Sequence, residues 1–195
     1  MSKKIFIIAS PLETNHATEI LGYPIIYSGI GKINATIATM KAYNSGYNTV
    51  VNIGSCGSTK HLAGELIDIG KVYQDIDLTP LTLYGNTLFE TNSQELIIEQ
   101  QLGYWRPVIS DKTCFTTDYF YDVKQRSKYS DSYLKMIDNS DIIDMECYAI
   151  AKVCKQFNMQ FSSYKWVSDD GNATSWEKNC QIGLEKVKKQ LAVQN

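Results

Sequence analysis

The chain has 195 residues, 44% of them hydrophobic and 21% charged, which is apolar content enough to fill one sizeable core; a single domain over 1–195 is expected. Its 19 Lys and Arg against 21 Asp and Glu give a net charge of −2 and leave no basic footprint, so nucleic acid is not an expected partner. Five cysteines, an odd set without a CxxC pair, fit reduced thiols packed as small apolar groups, and with them a cytoplasmic setting.

The first apolar run, Ile5 to Ala9, reads as a buried strand; it stops at Ser10-Pro11, too short for the core of a signal peptide, and no later segment is expected to span a bilayer. Pro24–Ser28 and Thr49–Ile53 read as two further strands that end at small or glycine residues. Between them Lys32 to Tyr43 carries Ile33, Ile37, Met40 and Ala42 at helical spacing and is opened by Gly29-Ile30-Gly31. Gly54-Ser55-Cys56-Gly57 reads as a turn after the third strand. Glu65 to Thr79 returns to a strand pattern interrupted at Gly70, as two strands that extend the sheet and bend it towards a barrel. No element is assigned to 82–103. Trp105–Ser110 and Cys114–Thr116 read as strands and Ser130–Ile137 as a short helix.

The last third is more regular. Ile142–Met145, Cys147–Phe157 and Gln160–Asp169 read as strand, helix and strand, with Ala149, Ile150, Val153, Cys154 and Phe157 on one helical face. Such a unit is a βαβ crossover with parallel strands. Ser175 to Ala192 predicts one surface helix with Ile182, Leu184, Val187 and Leu191 inward and lysines outward. The fold class is therefore α/β: a three-layer α/β/α sandwich around a central twisted, mixed sheet.

Two acidic segments, Asp144-Met145-Glu146 and Ser168-Asp169-Asp170, stand at predicted strand ends, where open α/β sheets bind ligands. For either carboxylate alone, capping of the following helix is the plainer reading. His16 and His61 are far apart and lack ligand-like spacing to the cysteines, so neither a zinc site nor a Ser-His-Asp arrangement is expected.

Four segments need one explanation: Ser28-Gly29-Ile30-Gly31-Lys32-Ile33-Asn34-Ala35, Asn52-Ile53-Gly54-Ser55-Cys56-Gly57, Met145-Glu146 and Val167-Ser168-Asp169. In this order, and with Thr116-Thr117-Asp118-Tyr119-Phe120 between the second and third, the chain resembles the purine nucleoside phosphorylase and nucleosidase superfamily, most closely its methylthioadenosine/S-adenosylhomocysteine nucleosidase branch. The resemblance implies cleavage of an N-glycosidic bond, in which positive charge builds on the ribose while the departing purine gains electrons and needs a proton. By resemblance Asp169 matches the general acid at N7 of the purine, for which its pKa would have to be raised, and Ser168 beside it counts among the substrate-binding residues. Glu146 matches the carboxylate on the ribose hydroxyls, Met145 the apolar surface under the sugar, and Phe120 the ring stacked on the base. Glu13, after the first strand, is the candidate base for the attacking water, with Ser55 helping to hold it. Lys165 stands where many nucleosidases have an arginine that contacts the water or ribose.

Arginine usage separates hydrolysis from phosphorolysis. A phosphorylase holds phosphate, for which the guanidinium fork is best suited, yet this chain has only Arg106 and Arg126, and Asn52 stands where phosphorylases place an arginine. Gly54-Ser55-Cys56-Gly57 is worded more like a phosphorylase. The expectation is a hydrolase; a phosphorylase and an inactive nucleoside-binding protein are the alternatives. The family further implies a homodimer, a small purine nucleoside as ligand, and neither metal nor organic cofactor.

Overall fold

The structure, a computed structural model, describes residues 3–75, 95–97 and 110–193. Its strands are β1 (Lys4–Ile8), β2 (Glu19–Ile20), β3 (Tyr23–Tyr27), β4 (Thr49–Gly57), β5 (Leu66–Asp68), β6 (Lys71–Gln74), β7 (Glu95–Ile97), β8 (Thr113–Thr116), β9 (Ile142–Asp144) and β10 (Gln160–Asp169). The helices are α1 (Lys32–Asn44), α2 (Asp131–Asn139), α3 (Cys147–Gln156), α4 (Ala173–Asn179) and α5 (Leu184–Val193).

Strand β1 shows why the layers form. Ile5 and Ile7 pack under α1 and α3 with Ala35, Ala38, Ala42, Ile150 and Cys154. Phe6 and Ile8 face the other way and meet Val187 and Leu191 of α5. Side chains alternate along a strand, so an unbroken apolar run is buried on both faces, and helices must cover both. The alanines on the inner face of α1 keep it close to the sheet and to α3.

The sheet is mixed, as expected, in the order β2-β3-β1-β4-β9-β8-β6-β7, with β10 beside β4 and β5 beside β10. Strands β1, β3, β4 and β10 are parallel neighbours, and β8 is parallel to β6 and β9. Gly70 separates β5 from β6 as predicted, and β5 pairs with β10 while β6 pairs with β8. A Cβ at Gly70 would lie 1.8 Å from the Ser110 carbonyl oxygen, so this crossing point requires glycine.

Three predicted elements are corrected, and a fourth lies almost wholly outside the described residues. Strand β4 does not turn at Gly54 but continues to Gly57, because β10 runs beside it from Gln160 opposite Thr49 to Asp169 opposite Gly57 and supplies the backbone partners. The strands flanking α3 are not parallel neighbours: the end of β4 lies between them, parallel to β10 but antiparallel to β9 through Gly57 and Ile143. The predicted C-terminal helix is two, α4 and α5, broken at 180–183. Trp166 fills the space there, its indole N–H donating to the Cys180 carbonyl at 3.0 Å, and a Cβ at Gly183 would lie 2.0 Å from the ring. The strand expected over Trp105–Ser110 falls outside the described residues apart from Ser110, which is not in a strand. Among the described residues no helix is long and apolar enough to cross a membrane.

Candidate functional site

The strand ends converge on a cavity beside the start of α3. Its lining includes Ser10, Glu13, Ile30, Ser55, Phe120, Met145, Glu146, Asp169 and Gly171. Six of the eight residues singled out in the sequence therefore line one space. Lys165 and Ser168 are buried against residues that line it: Lys165 Nζ lies 2.9 Å from Asp144 and Ser168 Oγ 2.8 Å from Asp169.

Glu13 follows β1 in a 3-10 turn, Pro11–Thr14, capped by Ser10. Its Oε2 accepts from the Ser10 N–H at 3.1 Å, closing a capping box. Its Oε1 accepts the Ser55 N–H at 2.6 Å and the Ser55 hydroxyl at 2.7 Å. The Ser55 Oγ in turn accepts the Trp176 indole N–H at 2.9 Å, which fixes the direction of the serine's own proton. Gly54 makes this approach feasible, since a Cβ there would sit 3.0 Å from Oε1. Burial pushes the Glu13 carboxyl above its ordinary value in spite of the Ser55 donors and the Lys165 charge. Trp176, on α4, was not singled out in the sequence; the helix break that orients α4 had no local signal strong enough to reveal it.

Glu146 occupies the cap position of α3 but its side chain makes no capping hydrogen bond there. Asp144 takes that work, its Oδ2 accepting the Cys147 N–H at 2.8 Å. The Glu146 carboxylate is instead turned to the cavity, where Oε1 accepts the N–H of Gly31 at 2.9 Å. Gly29 and Gly31 both have positive φ, +83° and +95°, and this turn aims that N–H. Burial, with the nearby Asp144 charge, pushes Glu146 up to about 8.

Asp169 does not cap the next helix either; Asn172 does so, accepting the Thr174 N–H at 3.0 Å. Its Oδ1 accepts from the Gly171 N–H at 2.9 Å. Its Oδ2 lies 2.8 Å from the Ser168 Oγ, which is also 3.0 Å from the Cys56 carbonyl oxygen. A hydroxyl has one hydrogen, and the carbonyl can only accept. Both contacts are satisfied together when Asp169 carries a proton and donates it to Ser168, which donates to Cys56. Burial raises the pKa of Asp169, and Asp170 adds to it, the direction that a general acid needs.

Lys165, 1% exposed in β10, holds its Nζ 2.9 Å from Asp144 Oδ2. Asn52 is locked in the core: its amide donates to the Ile7 carbonyl at 3.0 Å and its oxygen accepts from Ser163 at 3.0 Å. Arg126 lies outside the cavity lining, bound to Asp138 at 2.6 Å and to the Tyr121 hydroxyl at 3.0 Å; Arg106 is outside the described residues. Among the described residues Cys114, Asp144 and Cys147 bring metal-type donors within 4.8 Å of one another. There Asp144 is already engaged by the Lys165 ammonium, which would repel a cation.

A space lined by three buried carboxyls of raised pKa and by aromatic side chains is equipped to protonate one part of a ligand while stabilising positive charge on another. The comparisons with known proteins point the same way. The family model described as "Phosphorylase superfamily" matches residues 21–192. A 5′-methylthioadenosine/S-adenosylhomocysteine nucleosidase of Staphylococcus aureus (strain JH9) is 29% identical, with 83% of this chain and 74% of the relative covered. Among solved structures, a mutant of Helicobacter pylori MTAN with 5′-methylthioadenosine in its active site superposes with a TM-score of 0.75 at 18% identity, covering 98% of this chain and 99% of that one. A futalosine hydrolase mutant of Helicobacter pylori strain 26695 does so with a TM-score of 0.73 at 18% identity and the same coverage.

Proposed function

The chain belongs to the phosphorylase superfamily, and from that premise we propose that it is an N-glycosyl hydrolase that releases the base from a purine nucleoside. Asp169 gives its proton to N7 as the bond between N9 and C1′ breaks. Glu146 accepts hydrogen bonds from the ribose hydroxyls, and its negative charge counts for more as the sugar becomes cationic. Glu13, oriented by Ser55, takes a proton from the water that adds to C1′. Phe120 stacks on the base and Met145 lies under the sugar. The products are a free purine and the ribose with its 5′ substituent.

The observation that carries hydrolysis over phosphorolysis is the state of Asn52. Both ends of its amide are spent on Ile7 and Ser163, and Arg126, the one arginine among the described residues, is held by Asp138. Water needs one base; phosphate needs a fork of donors that these residues do not offer. The apolar side chains of Ile30 and Met145 beside Glu146 suit a thioether at the 5′ position, and the nucleosidase relatives favour methylthioadenosine or S-adenosylhomocysteine as substrate.

Chromatographic detection of free base tests this, with methylthioadenosine, S-adenosylhomocysteine, adenosine, inosine and futalosine, each with and without phosphate. Base release that is independent of phosphate is the expected result. Strict phosphate dependence with a sugar-1-phosphate product would instead establish the phosphorylase, and saturable binding without turnover the inactive binding protein.

A homodimer is proposed on the same footing. Ile33 and Ile37 on α1 are 76% and 49% exposed, Ile30 in the turn just before the helix is 52% exposed, and Ile30 also lines the cavity, so a second copy on this face would close the pocket mouth. Ile33→Glu is expected to give a monomer by light scattering with weakened substrate binding. An unchanged dimer would place the interface elsewhere.

A further inference from the structure

Lys165 and Asp144 form an ion pair with both side chains almost wholly removed from water, at 2% and 1% exposure. Buried pairs of this kind are often no more stabilising than apolar residues of the same volume, so what they hold in place is informative. Asp144 takes the Lys165 ammonium at 2.9 Å and the Cys147 N–H at 2.8 Å on Oδ2, and the Thr116 hydroxyl at 2.6 Å and the Cys114 thiol at 3.2 Å on Oδ1. Strands β8 and β10 and the first turn of α3 are thereby tied to the last residue of β9, two positions before Glu146. Thr116 is itself fixed, accepting the Tyr148 N–H at 2.9 Å.

We propose that the Asp144–Lys165 pair is a positioning device for Glu146, which holds the β9–α3 turn in place and brings two opposed charges to bear on its carboxylate. The catalytic consequence rests on the proposed role of Glu146; the electrostatic coupling does not. The groups that bear on Glu146 are Asp144 on its own turn, Lys165 from β10, Glu13 from the turn after β1, and the Gly31 N–H from the start of α1. Asp118, paired with Lys32, stands beside Gly31, Asp169 lines the same cavity, and the Cys114 and Cys147 thiols face Lys165. Within this set Asp144 and Lys165 act on Glu146 with opposite sign: the aspartate raises its pKa and the lysine lowers it. Lys165 stays charged, because the Asp144 and Glu146 carboxylates more than offset the burial that would lower it.

The test is a carbon-13 NMR titration of the Glu146 carboxyl, assigned with Glu146→Gln, in wild type, Lys165→Met, Lys165→Arg and Asp144→Asn, alongside kcat/KM for base release across the same pH range. Lys165→Met is expected to move the titration of Glu146 up by about one pH unit, a tenfold smaller ionised fraction on its acid side, and Asp144→Asn to move it down. The acid limb of kcat/KM should follow, and Lys165→Arg should return both towards wild type. Damage to packing alone would lower kcat without displacing the limb in opposite directions. Should Lys165→Met fail to fold, Asp144→Asn and Lys165→Arg still carry the comparison. A Glu146 titration that stays in place, or moves the same way in both charge-removing variants, overturns the proposal, whatever the activity. Opposite shifts in a protein that cleaves no nucleoside would uphold the pair and overturn the hydrolase.

Discussion

Asp169→Asn is expected to lower base release by about 10²–10⁴, the usual contribution of a positioned general acid, while the affinity for nucleoside changes far less. The geometry makes this substitution unusually clean. In the protonated state Asp169 donates to Ser168, which donates to the Cys56 carbonyl; an asparagine Nδ2 can donate to the same hydroxyl, and its oxygen can still accept from Gly171. The variant should therefore fold and bind as the protonated enzyme does, with nothing to transfer to N7. Single-turnover base release and equilibrium binding of the same nucleoside separate the two effects. The alkaline limb of kcat, where wild type loses its acid as Asp169 ionises at a raised pKa, should vanish in the variant. Turnover near the wild-type level would remove Asp169 from the mechanism.

Glu13→Gln should cost a comparable factor, about 10²–10⁴ in kcat, because the amide cannot take a proton from water. Here the hydrogen bonds are not neutral to the exchange. The glutamine oxygen can keep the two Ser55 donors, but its NH2 group then faces the Ser10 N–H that Oε2 now accepts. A moderate loss of stability at low pH is the expected consequence. The sign reverses with pH. A carboxyl whose pKa is raised on folding stabilises the fold fully below its unfolded value and loses that contribution as pH rises through the folded one. Glu13 is such a group, so the glutamine variant should gain on wild type in thermal melts as pH rises from below the ordinary glutamate range. Retained hydrolysis in Glu13→Gln would transfer the water to another base, and a melting difference independent of pH would contradict the raised pKa.

The apolar runs were legible because their burial is two-sided: Ile5 to Ile8 reads as a strand in any context, and helices must cover it. The acidic residues at strand ends were legible as a pattern, and Glu13, Glu146 and Asp169 do line a common cavity. The choice between capping and facing the pocket was not legible. Asp144 and Asn172 do the capping, and nothing local distinguishes Asp144 from Glu146 as the better cap. The partner of Lys165 was not legible either, since Asp144 stands 21 residues away on another strand.

By itself the sequence determined the alternation of strands and helices, the layering that follows from it, and the set of carboxylates and aromatic residues from which a nucleoside site would be drawn, because periodicity and residue chemistry are local properties. Only the tertiary structure decided that β4 runs on through Gly57 beside β10, that Lys165 pairs with Asp144, that Trp176 holds Ser55, and that Ser168 stands between Asp169 and Cys56. Each of these is a contact between residues distant in the chain, and its energy depends on which neighbours exclude water and which lone pairs are already filled.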